Sequence, residues 1–174
     1  DPRNGMARYL SGVMFAQVGR PDRAFALWQP LLAEGRPDAP WMDPVRADIE
    51  AVAEEAGVRA GAFLKLQARE RLVAASDRYA ALIGRRITRV TLRDTRSRWG
   101  SCAQDGALMY SWRLIMAPPA VLDYVAAHEV AHMVEMNHSP DYWAVVDRLY
   151  PGWQVQRKWL HTQGQSLHQF RFGD

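Results

Sequence analysis

Two proline-opened segments, "APPAVLDYVAAHEVAHMVEMNH" from Ala117 and "SPDYW" from Ser139, leave this chain of 174 residues little freedom over positions 117–143. Pro118 and Pro119 belong in a first helical turn, where the missing amide hydrogens would have had no partner anyway. Along the helix that follows, Leu122, Ala126, Val130 and Met133 recur on an apolar face. His128 and His132, four residues apart at ~3.6 residues per turn, project together from the opposite one. Ser139 then stands as an N-cap, with Pro140 at the first position of a new helix and Asp141 in its first turn. The first helix must end before it, and the spacing predicts that end near Asn137, a residue type that tolerates the left-handed conformation of helix C-termini.

Two histidines on one face can grip one ion, and the residue between them decides what the ion could do. Glu129 lies ~100° around the helix from His128, so it flanks a bound metal without ligating it. A carboxylate so placed can hold a metal-bound water and take its proton, the division of labour in H-E-x-x-H peptidases. Zinc with two histidines needs a third protein ligand, leaving one position open for water. His138 is the first candidate, because the break between the helices would deliver it. Glu135, three residues past His132 and back on the same face, is the rival ligand, or else a hydrogen-bond acceptor behind the imidazoles. The expected cofactor is one Zn2+ per chain.

Outside this region the sequence predicts strands. In "ITRVTLRD" Val90 and Leu92 alternate with Arg89, Thr91 and Arg93, the pattern of a half-exposed strand. A turn at "AQDGA" leads to a second strand in "LMYSWRLIMA", and the two suggest an antiparallel hairpin or meander beside a helix. Between them, Arg98, Trp99, Gly100 and Ser101 read either as a substrate-lining turn or as a bulge with Trp99 in the core. Candidates for stabilising an oxyanion are Arg113, Tyr142 and His161. Cys102 reads as a small buried residue, His161 and His168 otherwise as surface or core polar groups, and Trp143, Trp153 and Trp159 as core.

The N-terminal part predicts helices near 6–18, 21–34 and 43–56, then a boundary at Gly57 and Gly61. The expected division is therefore a helical module over 1–60 and a second domain over 61–174. The latter opens with a helix over about 62–82, with Phe63, Leu66, Leu72, Val73 and Tyr79 as buried candidates and Gly84 as its stop. Gly12, Phe15, Ala24, Trp28 and Pro37 are spaced as in one tetratricopeptide repeat. "ALWQPLLAEGRPDAPW" resembles the repeat region of bacterial cytochrome c maturation proteins that hold apocytochrome, which would imply the periplasmic side and a peptide-holding groove. The plainer reading of the same residues is a helical hairpin serving as a scaffold.

Composition excludes some classes. Cys102 is the single cysteine, so there is no internal disulfide framework, and no apolar run reaches the ~18 to 20 residues of a membrane span. The opening residues carry no basic region followed by an apolar run, so no signal peptide is visible. Net charge is only +3, yet Arg85, Arg86, Arg89, Arg93, Arg96 and Arg98 cluster against the single Asp94, a stripe that could touch phosphates, substrate carboxylates or water.

Four stretches in order, "SRWGSC" at 97–102, "SWRLIMAPPAVLDYVAAHEVAH" at 111–132, "NHSPDYW" at 137–143 and "RKWL" at 157–160, make residues 63–174 resemble the YgjP-like zinc metallopeptidases, relatives of the SprT-like group. One departure is Ser111, where the family pattern has Asn before the Trp. The resemblance implies an α+β, zincin-like domain with zinc at His128, His132 and His138, Glu129 as general base, peptide or protein substrates and a cytoplasmic setting. The SprT-like kinship and the arginines together raise a nucleic-acid-associated protease as the alternative. A further alternative is a peptide-binding helical module in which zinc only supports the fold.

Overall fold

In the computed structural model the described residues are 4–173; the opening residues 1–3, part of the stretch read for a leader, and residue 174 lie outside them. The elements run α1 Gly5–Gln17, α2 Pro21–Glu34, α3 Met42–Leu82, β1 Arg89–Arg93, β2 Gly100–Cys102, β3 Ala107–Ser111, a 3-10 turn Trp112–Met116, α4 Pro119–Ala131, α5 Pro140–Leu149, α6 Gln154–Gln163 and a closing 3-10 turn Gly164–His168. The architecture is α+β, with one small mixed sheet among helices. No helix among the described residues is long and apolar enough to cross a membrane. By its contacts the chain forms two compact units, one reaching Ala60 and including Phe172 and Gly173, the other spanning Gly61–Arg171.

In the first unit Asn4 caps α1, its side chain accepting from the amide of Ala7. Helices α1 and α2 pack as a hairpin around Trp28, which is fully buried and donates its indole N–H to the carbonyl of Tyr9 at 3.1 Å. Gly12 makes that approach possible: a Cβ there would lie 2.5 Å from Trp28 Cε2. Ala24, Leu31 and Val45 complete the core, with Tyr9, Phe15, Trp41 and Ile49 packed against it.

The expected helix break at Gly57 and Gly61 does not occur. Helix α3 runs unbroken from Met42 to Leu82, because a helical glycine costs only about 1 kcal/mol against alanine and neither proline nor a cap intervenes. At Gly57 the missing side chain has a use, since a Cβ there would touch the backbone of Phe172 at 3.4 Å. Gly84, at φ +62°, follows the end of the helix as its stop.

In the second unit α3 buries Ala68, Leu72, Ala75, Ser76, Tyr79 and Ala80, a stripe at helical spacing. Phe63 and Leu66, expected in that stripe, are 61% and 55% exposed, because the buried face is rotated away from them. The sheet has the order β1-β3-β2 and corrects the expected antiparallel hairpin. Strand β3 pairs parallel with β1, from Arg89 opposite Ala107 to Arg93 opposite Ser111, and antiparallel with β2. The turn at "AQDGA" does form, with Gly106 at φ +81°, but it joins β2 to β3. β2 thus takes the hairpin position beside β3, and β1 can only add on the other side. The second strand is also shorter than expected, since the chain turns 3-10 at Trp112. A buried bond of 2.9 Å between Ser76 Oγ and Tyr110 Oη ties α3 to the central strand.

Helix α4 is buried on nearly every side, including Val121, Leu122, Val125, Ala126 and Val130. At about 1.5–3 kcal/mol for each large apolar side chain fully removed from water, this burial fixes the helix firmly. The residues it carries toward β2 are held with it.

Candidate metal centre

Helix α4 ends earlier than the sequence suggests, at Ala131 with His132 as C-cap, rather than near Asn137. No non-glycine residue among those described has a positive φ, so Asn137 does not end the helix in the left-handed way. The amides of Met133 and Val134 reach back only three residues, to Val130 and Ala131 at 3.0 Å, and tighten the last turn instead. That turn aims the carbonyl of Glu135 at His132 Nδ1, 3.2 Å away. A proton on Nδ1 is donated there, which leaves the Nε2 lone pair of His132 for an ion.

The loop beyond returns His138 to the same place. Glu135 Oε1 accepts from the amide of Asn137 at 3.4 Å, the amide of Ser139 donates to the carbonyl of Asn137 at 2.8 Å, and Ser139 Oγ caps α5 by accepting from the amide of Tyr142. His128, His132 and His138 come together with their ligand atoms all within 4.8 Å of one another. His128 Nε2 and His138 Nε2 are 3.3 Å apart. Two nitrogens at ~2.0–2.1 Å from one tetrahedral ion stand about 3.3 Å apart, so the pair fits zinc. Burial, with the neighbouring imidazoles adding to it, holds His128 down at about 3, and burial lowers His132 as well, so both present the neutral form that a metal requires.

Aromatic rings fix the three imidazoles. Tyr142, fully buried, stacks on His132 at 4.4 Å and donates its hydroxyl to the carbonyl of His128 at 3.0 Å. Trp143 stacks on His138 at 5.7 Å and on Trp153 at 4.2 Å. Tyr124 Oη lies 3.4 Å from His128 Nδ1. Trp143 and Trp153, core residues by sequence alone, therefore brace the cluster.

Glu129 is 5% exposed and leans against β2, where a Cβ on Gly100 would overlap its carboxylate and stand 2.6 Å from its Cγ. Burial pushes its carboxyl up to about 8, eased by the charge of Arg98. Gly100→Ala must displace either the strand or the carboxylate. The expected result is a Glu129 carboxylate shifted away from β2 with metal uptake by the three histidines unchanged, read from the variant's crystal structure beside metal analysis.

His128, Glu129 and Gly100 line a cleft of about 780 Å3 together with Arg98, Trp99, Tyr124, Trp153 and the polar face of α6. Trp99 lines this cleft while packing with Ala117, Val121 and Leu167. Ser101 faces a different groove, which it lines with Arg89, Arg93 and Arg98. Arg113 does not line the cleft; its guanidinium is bound to Asp94 and to the carbonyls of Leu167 and Phe170. Tyr142 is likewise committed through its hydroxyl, whereas His161 does line the cleft. Burial raises the Cys102 thiol to about 11, which suits an inert side chain. Absent from the sequence candidates were Arg157 and Lys158, whose signal was their spacing with Gln154 and His161 on one helical face.

A family model for the YgjP-like metallopeptidase domain matches residues 46–163. The chain belongs to the YgjP-like family. No curated protein and no solved structure matches the chain significantly. The matched segment contains the whole histidine cluster, the sheet and α6.

Proposed function

We propose that this YgjP-like chain is a zinc-dependent peptidase in which His128, His132 and His138 hold one ion and Glu129 is the general base. The observation that carries the reading is the convergence of three imidazoles beside a cleft that Glu129 also lines. A zinc site serving only the fold is closed by four protein ligands, whereas the cluster among the described residues has three. The Glu135 carboxylate, the obvious fourth, is engaged by the amide of Asn137.

Bound there, zinc would supply Lewis acidity to a scissile carbonyl and to the water that attacks it. Glu129 accepts a proton at its carboxylate and passes it to the leaving amine; burial raises its proton affinity, and the positive charge of a dication held by the histidines would oppose that rise and keep the carboxylate ionised for this role. Tyr142 and the Glu135 carbonyl orient His128 and His132. Trp99 and Leu160 line the cleft with apolar surface against which substrate side chains can pack.

The test is metal content set beside hydrolysis. Purified protein is expected to carry about one zinc per chain and to cleave casein or a mixed peptide pool. His132→Ala should weaken zinc binding by more than about 100-fold, beyond the usual effect of losing an orienting partner, and cleavage should vanish with the metal. A wild type fully loaded with zinc that cleaves no peptide offered would turn the reading toward a zinc that supports the fold.

A further inference from the structure

We infer that the cleft beside Glu129 recognises a carboxylate of its substrate, either an acidic side chain or the chain's terminal group. For the cleavage of that substrate the inference rests on the peptidase reading; for its binding it does not. Helix α6 offers Gln154, Arg157, Lys158 and His161 to the cleft, positions i, i+3, i+4 and i+7 of one helical face. Arg98 contributes a third cation from the loop before β2. Among the residues lining the cleft the only acid is Glu129, which the proposed chemistry already employs. No Asp or Glu occurs in the sequence between Asp147 and Asp174, so α6 has no acid of its own to pair with.

Some cations of this chain have a carboxylate partner, as Arg78 has Asp123 at 2.8 Å and Arg113 has Asp94 at 2.7 Å. Among the described residues no carboxylate forms an ion pair with Arg98, Arg157 or Lys158. The net charge of +3 is modest, so three unpaired cations in one cleft are a local concentration. Arg157 is also held in place, its guanidinium 5.0 Å from the ring centre of Trp143 and 5.8 Å from that of Trp153. Positive charge beside three imidazoles suited to a dication opposes metal binding, and a bound carboxylate reverses that cost. The walls supplied by Trp99, Tyr124, Val125 and Leu160 suit apolar flanking groups, and about 780 Å3 is in the range of a ligand site.

The experiment uses zinc-loaded Glu129→Gln protein, which binds peptides without turning them over, and fluorescein-labelled peptides of one sequence made in pairs. One pair exchanges an internal Glu for Gln; the other exchanges a free C-terminus for an amide. Anisotropy titration should give a preference on the order of tenfold for the charged member of one pair, and which pair responds identifies the source of the carboxylate. The preference should fall with added salt and shrink toward unity in Lys158→Gln and in Arg157→Gln. Lys158→Glu should favour the uncharged member. The lysine variants guard against disturbance of the tryptophan stack by the arginine one. Equal affinities within both pairs overturn the inference, as does a single-stranded oligonucleotide that binds tightly while the peptides show no charge preference. Acid-selective binding with no cleavage by wild type would sink the peptidase reading alone. Cleavage without any charge preference in binding would sink this inference alone.

Discussion

Glu129→Gln is expected to lower kcat for peptide hydrolysis by about 1,000-fold while leaving one zinc per chain, because general acid–base groups contribute ~10²–10⁴-fold. The amide matches the carboxylate in shape, so the contact with Gly100 and the packing of α4 persist, but it cannot accept the proton. The variant should also be at least as stable as wild type at neutral pH. Glu129 is 5% exposed, its carboxyl is pushed up to about 8 by burial, and an uncharged amide escapes that penalty. Activity lost without loss of stability or metal separates a chemical role from a folding one. A drop of only a few-fold would show that another group moves the proton.

Asp94→Asn is expected to cost about 3 kcal/mol in urea unfolding at neutral pH, the low end for breaking a buried pair. Arg113 is 6% exposed, and both its bonds to Asp94, at 2.7 and 2.8 Å, neutralise a guanidinium that also holds the carbonyls of Leu167 and Phe170. Without the carboxylate that buried charge loses both of these bonds. The Asp94 side chain is 33% exposed, which softens the effect and places it at the low end. The sign with pH follows. Bonding to Arg113 holds the Asp94 carboxyl below its ordinary value, so its contribution is complete above the unfolded value of ~3.9 and fades as pH falls through the folded one. The gap between wild type and variant should therefore close below about pH 4. A gap as wide at pH 3 as at pH 7 would refute this account of the pair.

The features legible in the sequence act through near neighbours. Pro119 at the start of α4, Ser139 capping α5, Gly84 ending α3 and the spacing of His128, Glu129 and His132 are each set by local backbone chemistry, and each stands in the structure as the sequence spells it. The misreadings have two separate causes. Gly57 and Gly61 carry a local helix penalty too small to outweigh good helix formers on both sides. The end of α4 moved to Ala131 because a tightened turn lets His132 take the carbonyl of Glu135, a bond that no propensity encodes.

By itself, then, the sequence determined the helix that carries His128, Glu129 and His132, the start of the helix after it and the chemistry those side chains can perform. Only the tertiary structure decided that β1 lies parallel to β3, that Gly100 presses on Glu129, and that Arg113 serves the core through partners 19 and 54 residues away. It also decided that Arg98 and the cations of α6 line one cleft with Glu129. The physical reason is that caps, turns and helical periodicity are set by neighbouring residues. Strand pairing, ring stacking and the enclosure of a charge depend instead on groups far apart in the chain, whose meeting is fixed only when the whole domain has packed.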